Sequence, residues 1–217
     1  MRARSLSRSA MLQKTLLVCL MLAPFCAASD HWKDWQYEES HEEVRQFVAG
    51  GTLHLRVPVG DIQIRRGDSD KIRMHYTVKS KRESHVKDTR VNINVNGRDA
   101  RIEFETSGNN TSVDVELEVP QNTNLDVHAK VGDVTVEGIE GDKDLDLGVG
   151  DIRITRDESS YRVVRASTSI GDVNQDVDHE HRGEVSGWLG KTLRYSGDGK
   201  YELRAHVSVG DITIEGK

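Results

Sequence analysis

At 217 residues and a formal charge of −6, the chain has room for one domain of ordinary size. Leu, Ile, Val and Phe supply 53 residues, about a quarter of the chain, more than disordered sequences carry. Val outnumbers Leu, glycine occurs 19 times and proline 3 times, which argues against a helical bundle or a Leu-rich α/β enzyme and favours β-strands joined by glycine turns.

Arg2, Arg4, Arg8 and Lys14 precede an apolar run from Leu16 to Phe25, followed by the small residues Ala27, Ala28 and Ser29. That layout predicts a secretory signal peptide over residues 1–28, because the run is about half of what a membrane-spanning helix needs. Cleavage after Ala28 removes Cys19 and Cys26, leaving residues 29–217 as one domain without disulfide, thiolate ligand or thiol nucleophile. The remaining chain has a formal charge of −10, which repels nucleic acid and anionic membranes, and contains no transmembrane segment. The expected location is the periplasm or the cell exterior, in association with the envelope.

Further along, Leu53, Leu55, Val57 and Val59 alternate with polar residues, as in a strand with one buried face. After Gly60-Asp61 the alternation resumes one residue out of step, at Ile62 and Ile64. A flat strand cannot shift parity without a corner or bulge, and glycine has the backbone freedom to make one. The basic segment Lys79, Lys81, Arg82, Lys87 and Arg90 is interrupted by Glu83 and Asp88 and has no aromatics for base stacking, so it predicts a solvated loop and no nucleic-acid partner. Val91, Ile93 and Val95, then Asn96-Gly97, then Ala100, Ile102 and Phe104 predict a β-hairpin. Val113, Val115, Leu117 and Val119 predict one more half-buried strand before Pro120.

From residue 121 the strand-corner-strand pattern recurs at Gly132-Asp133, Gly150-Asp151, Gly171-Asp172 and Gly210-Asp211. Across the five copies, including Gly60-Asp61, apolar residues occupy equivalent inward positions, among them the residue before each glycine: Val59, Val131, Val149, Ile170 and Val209. Only Lys143, Thr168 and Gln175 depart from the pattern. The last gap, 39 residues, is close to two units of twenty. An all-β fold is therefore expected: a β-solenoid-like stack of about 20-residue repeats with a hairpin-like N-terminal half, each coil stabilised by its neighbours. The corner aspartates would accept hydrogen bonds from backbone amides just ahead in their own turn.

Gly187-Trp188-Leu189-Gly190-Lys191-Thr192 ends like a phosphate-binding loop, but Val185 stands where the first glycine belongs, so a turn is expected. His179 and His181, with Asp176 and Asp178 just before them, are one metal candidate, and the corner aspartates, among them Asp133, Asp151 and Asp172, are another. Calcium bridging the aspartate column is the alternative to a chain that needs no cofactor. The final strand ends close to Lys217, so an open C-terminal strand edge is expected to invite self-association.

The run L-E-V-P-Q-N-T-N-L-D-V-H-A-K-V-G-D-V-T-V-E-G-I-E-G-D from Leu117, and D-L-D-L-G-V-G-D-I-R-I from Asp144, resemble the bacterial putative-adhesin family, a β-strand-repeat domain of unknown function. G-G-T-L-H-L-R-V-P-V-G-D-I-Q-I from Gly50 is similar to that family's first repeat, and S-V-G-D-I-T-I-E-G from Ser208 to its last, so the resemblance spans residues 39–217. It implies an exported, envelope-associated β-solenoid-like protein with no catalytic residues to transfer, and the function expected for the chain is a non-enzymatic envelope or secreted binding and structural module whose partner is an envelope protein or a surface glycan. The alternative class is a carbohydrate-active enzyme on a parallel β-helix, using the repeated aspartates as acid and base.

Overall fold

The structure, a computed structural model, describes residues 35–67 and 70–216, so the expected signal peptide lies outside the described residues. In chain order, β1 (Tyr37–Gln46) is followed by β2 (Thr52–Val59), which turns at Gly60-Asp61 into β3 (Ile62–Arg66). Next come β4 (Lys71–Ser80), a short helix α1 (Glu83–Asp88), the hairpin β5 (Arg90–Asn96) and β6 (Asp99–Glu105), and β7 (Thr111–Val119). Three corner units follow: β8 (Asn124–Val131) with β9 (Val134–Glu137), β10 (Lys143–Val149) with β11 (Ile152–Arg156), and β12 (Tyr161–Ile170) with β13 (Val173–Asp176). The hairpin β14 (Glu184–Ser186) and β15 (Thr192–Ser196) precedes the last unit, β16 (Tyr201–Val209) with β17 (Ile212–Gly216).

The first arm of every corner unit joins one sheet, ordered β14-β15-β12-β16-β10-β8-β2-β6-β5, and the second arm joins another, ordered β1-β4-β7-β3-β9-β11-β17-β13. Arms of neighbouring units pair in parallel and in register: Leu125, Leu145 and Leu147 lie level with equivalents on neighbouring strands. Inward residues of both sheets, such as Leu55, Val127, Leu147, Ile154, Val207 and Ile214, share one buried cluster. The fold is thus all-β, as composition and alternation require.

Two expectations about chain order need correction. The last repeat does not extend the stack: β16 lies between β10 and β12, and β17 between β11 and β13. Both flanks of Leu203, Ala205 and Val207 are therefore occupied by matching alternation, which buries more than a terminal position offers. The open C-terminal edge does not exist, and β17 has no free side for self-association. The 39-residue gap, close to two repeat units, instead contains the antiparallel β14–β15 hairpin, which covers the far side of β12. The sheet edges among the described residues are β1, β13, β5 and β14.

The N-terminal half does form a hairpin, with Asn96 paired to Asp99, so Gly97 and Arg98 make the loop, one residue later than expected. The basic segment contains α1 rather than only a loop. Lys87 bonds Glu83 at 2.6 Å across one helical turn and Val86 is buried, which together order six residues.

Candidate functional site

Each corner solves a packing problem in the same way. Gly150 has φ +132°, and a Cβ there would lie 2.0 Å from the carbonyl oxygen of Gly132 on the next coil. Gly132, Gly171 and Gly210 meet a neighbouring corner glycine's carbonyl at 2.0–2.1 Å by the same construction, and Gly60 meets Val113 at 2.0 Å. Backbone bonds continue through the bend, as in Gly150 N–H to Val209 O at 3.0 Å and Ile152 N–H to Asp211 O at 2.9 Å. Only glycine combines a positive φ with this stacking distance.

The aspartates act between neighbouring corner units and not within their own turns, which corrects the expected Asx-type bond. Asp61 Oδ1 accepts the backbone N–H of Asp133 at 3.1 Å, Asp133 Oδ1 that of Asp151 at 3.0 Å, Asp151 Oδ1 that of Asp211 at 2.8 Å, and Asp211 Oδ1 that of Asp172 at 2.7 Å. The line is headed by Asp114 Oδ1, which takes the N–H of Asp61 at 3.2 Å. Sequence reasoning missed Asp114 because V-D-V inside β7 lacks the preceding glycine. Its only signal is the register that sets Ile62 opposite Val115.

Beside the carboxylates runs a row that alternation assigned to the core. Val131, Val149, Ile170 and Val209 are 43–51 % exposed, and Val59 is half-buried. Their parity is inward, but the corner carries them past the rim of the core. They are directly in register, Val59 with Val131, Val131 with Val149, Val149 with Val209, and Val209 with Ile170. The corner therefore presents a line of β-branched side chains next to a line of exposed carboxylates.

This in-register Gly-Asp corner, repeated through the second half of the chain, coincides with a family match: residues 109–215 fit the model Toastrack DUF4097. Residues 109–215 form a Toastrack DUF4097 domain. Its match begins at Asn109, so the first repeat lies outside the matched residues although β2 and β3 join the same ladders. The chain is similar in fold to a putative cell adhesion protein from Clostridium sporogenes, at 18% identity and a TM-score of 0.51, covering 82% of this chain and 100% of that one. A putative adhesin from Bacteroides fragilis (10% identity, TM-score 0.29, 82% and 97% coverage) and a putative lipid binding protein from Parabacteroides distasonis (10%, 0.28, 82% and 97%) also align, at scores too low to carry a structural argument. No curated protein matches the chain.

Elsewhere in the chain, the three departures from the repeat are fastening points. Lys143 occupies an inward position, and its ammonium donates to the carbonyls of Ile139 at 2.6 Å and Gly141 at 3.1 Å and bonds the buried Tyr161 hydroxyl. Burial pulls its pKa down to about 7, against the partial opposition of Asp142 and Glu140. The same burial raises the pKa of Tyr161. Thr168 receives the N–H of Lys191 at 3.0 Å and donates to Gly171 O, tying the β14–β15 hairpin to the corner. Gln175 exchanges two bonds with the backbone of Gly183 at 2.7 and 2.9 Å.

A cleft of about 430 Å³ opens at the far ends of β3, β9 and β11, lined by Arg65, Arg66, Glu137, Glu140, Arg156 and Asp157. The buried Arg156 guanidinium lies over the rings of Tyr161 at 5.5 Å and Tyr195 at 5.7 Å. Lys143 and Tyr161 are sealed behind this cleft, and their polar atoms are engaged with one another and with backbone carbonyls, an arrangement suited to holding the 138–142 return loop.

The metal candidates are dispersed. Asp133, Asp151 and Asp172 belong to the corner ladder, whereas His179 and His181 lie in a 3₁₀ turn with the His181 ring 6.1 Å from that of Tyr195. Among the described residues no group of three or more His, Cys, Asp or Glu is arranged to hold a metal ion. Gly187 to Lys191 form the tip of the β14–β15 hairpin, as the turn expectation required. No helix among the described residues is long and apolar enough to cross a membrane, a statement that does not bear on β-barrels.

Proposed function

We propose that this chain is an exported, non-enzymatic binding module of the bacterial envelope, a β-solenoid-like stack whose partner is an envelope protein or a surface glycan. Residues 1–28 serve as the signal peptide and 29–217 as one domain. The observation that carries the reading is the corner surface, where four coils repeat the same exposed apolar and carboxylate pair in register. Catalysis asks for a unique constellation of unlike groups around one reacting atom, whereas a repeated surface suits contact with an extended partner. The adhesion-type description of a fold neighbour is consistent with this role.

Fractionation of expressing cells, intact-mass measurement and affinity capture from envelope extract test the proposal. The expected result is an exported species beginning at Ser29 that retains envelope material. A cytosolic species still carrying Cys19 and Cys26, with nothing retained, contradicts it. The reading also requires no cofactor, with Asp61, Asp133, Asp151 and Asp211 each accepting a backbone N–H through one oxygen as the structural role of the column. Melting temperatures with calcium and with chelator should agree, and a large calcium-dependent rise lost in Asp151→Asn would establish metal bridging instead.

A further inference from the structure

The β14–β15 hairpin ends in the most exposed apolar side chains among the described residues, Trp188 at 94 % and Leu189 at 65 %. Its tip is not remote from the corner. A Cβ on Gly190 would lie 2.1 Å from the carbonyl oxygen of Thr168 and 2.6 Å from that of Ser169, so the tip backbone rests against the residues leading into Ile170. Antiparallel pairing places Ser167 opposite Thr192. The bond from the Thr168 N–H to Lys191 O at 2.8 Å carries this contact one residue further, to the base of the hairpin tip. The exposed Leu189 and Trp188 thus sit on the tip that borders the Ile170 end of the apolar row Val131, Val149, Val209 and Ile170.

Scattered exposed hydrophobic residues need no explanation, but a contiguous row with an aromatic at its end does. We propose that this row is a docking strip for a cationic amphipathic helix of a partner protein, an inference that rests on the binding-module reading above. Three features select that occupant. Neighbouring strands are about 4.8 Å apart, close to the 5.4 Å rise of one helical turn, whereas same-face residues of an extended peptide recur at about 6.8 Å. From Val131 to Ile170 the row crosses four strands, about 14 Å, which a helix of about 10 residues spans, and the hairpin tip lengthens the surface beyond it. Asp133, Asp151, Asp211 and Asp172 form a parallel line on one side, and the ladder engages them through Oδ1 or, at Asp172, through its own N–H. A helix with an apolar stripe and Lys or Arg on one flank satisfies both lines at once.

The same carboxylates disfavour other occupants. A second copy of this chain brings another carboxylate line to an apolar surface already bordered by one. An anionic bilayer places like charge against the corner. Part of the row's apolar character also serves the sheet, since β-branched cross-strand pairs add some stability, so the test has to separate folding from binding.

The probe is a synthetic 18-residue helix with Leu at i, i+3, i+4 and i+7 and Lys along one flank, titrated against the mature chain by methyl and Trp indole NMR. A Glu-flanked twin is the control. The strip predicts shifts confined to Val131, Val149, Val209, Ile170, Leu189 and the Trp188 indole, with no binding of the Glu twin. Val149→Thr with Val209→Thr, which keeps β-branching, and separately Trp188→Ser should each weaken binding about tenfold or more at unchanged melting temperature. Asp151→Asn with Asp211→Asn keeps the ladder acceptors, and should reduce both affinity and its salt dependence. Equal binding of the Glu twin, affinity untouched by these variants, or tighter binding of phosphatidylglycerol vesicles through the same residues overturns the proposal. If envelope capture is unchanged in the Val→Thr and Trp188→Ser variants, the strip is wrong and the binding module stands. If the chain stays in the cytosol but the peptide still binds the row, the reverse holds.

Discussion

At Gly150 two constraints meet in one atom: a Cβ would impose a strained φ and strike the Gly132 carbonyl at 2.0 Å. Gly150→Val should therefore unfold the chain or lower its stability by at least about 3 kcal/mol, because backbone on both sides has to move. Thermal or urea melts check this. Asp151→Asn retains an oxygen for the Asp211 N–H and should cost little, whereas Asp151→Ala removes that acceptor and should cost about 1 kcal/mol. The glycines and aspartates were legible because the parity shift recurs at each of them. Their partner atoms were not, since a bond from one coil to the next depends on which coils are neighbours, and the sequence pattern does not encode that order.

Lys143 supplies a pH test at the same scale. Its amine loses its proton near pH 7 in the folded chain and near 10.5 when exposed. Between those values unfolding takes up a proton, so stability rises with pH across that window, by at most about 1.4 kcal/mol per unit, and this contribution is flat below it. Lys143→Met should abolish that increment when melts of the two proteins are compared from pH 7 to 10. An identical slope in both would show that the lysine is not desolvated as its contacts indicate.

Among the elements, the corner units and the β5–β6 hairpin were readable from alternation and glycine placement, while the position of β16 was not. Leu203, Ala205 and Val207 match the inward pattern of every other first arm, so pattern alone cannot say whether the unit joins the end or the middle of the stack. The exposed row was misassigned for a related reason. Parity gives the face on which Val149 lies, but not that the corner carries it beyond the core's rim. The central position of β16 has a direct consequence. Truncation after Lys200 should remove the strands joining β10 to β12 and β11 to β13, giving global loss of the cooperative transition in circular dichroism. A terminal coil, in contrast, would be lost with only a local decrement.

For the whole molecule, two sheets sharing one core hold a set of corners in register, and the corner is where the repeated chemistry faces solvent. The irregular pieces are attached through the residues that break the repeat: Lys143 beneath the 138–142 loop, Thr168 at the hairpin tip, and Gln175 at Gly183. The all-β class and the family were visible in the sequence, while the strip formed by distant residues such as Val149, Val209 and Trp188 required the strand order. The proposed function requires this corner to act as a contact surface outside the cytoplasm. Photo-crosslinking in living cells, with a photoreactive residue at position 209 and, as control, at 144 on the outer sheet face, tests it most directly. The account predicts a discrete envelope adduct to the signal-cleaved chain from position 209 and none from 144. Adducts from 144 alone, or an uncleaved cytosolic chain without adducts from either position, would contradict it.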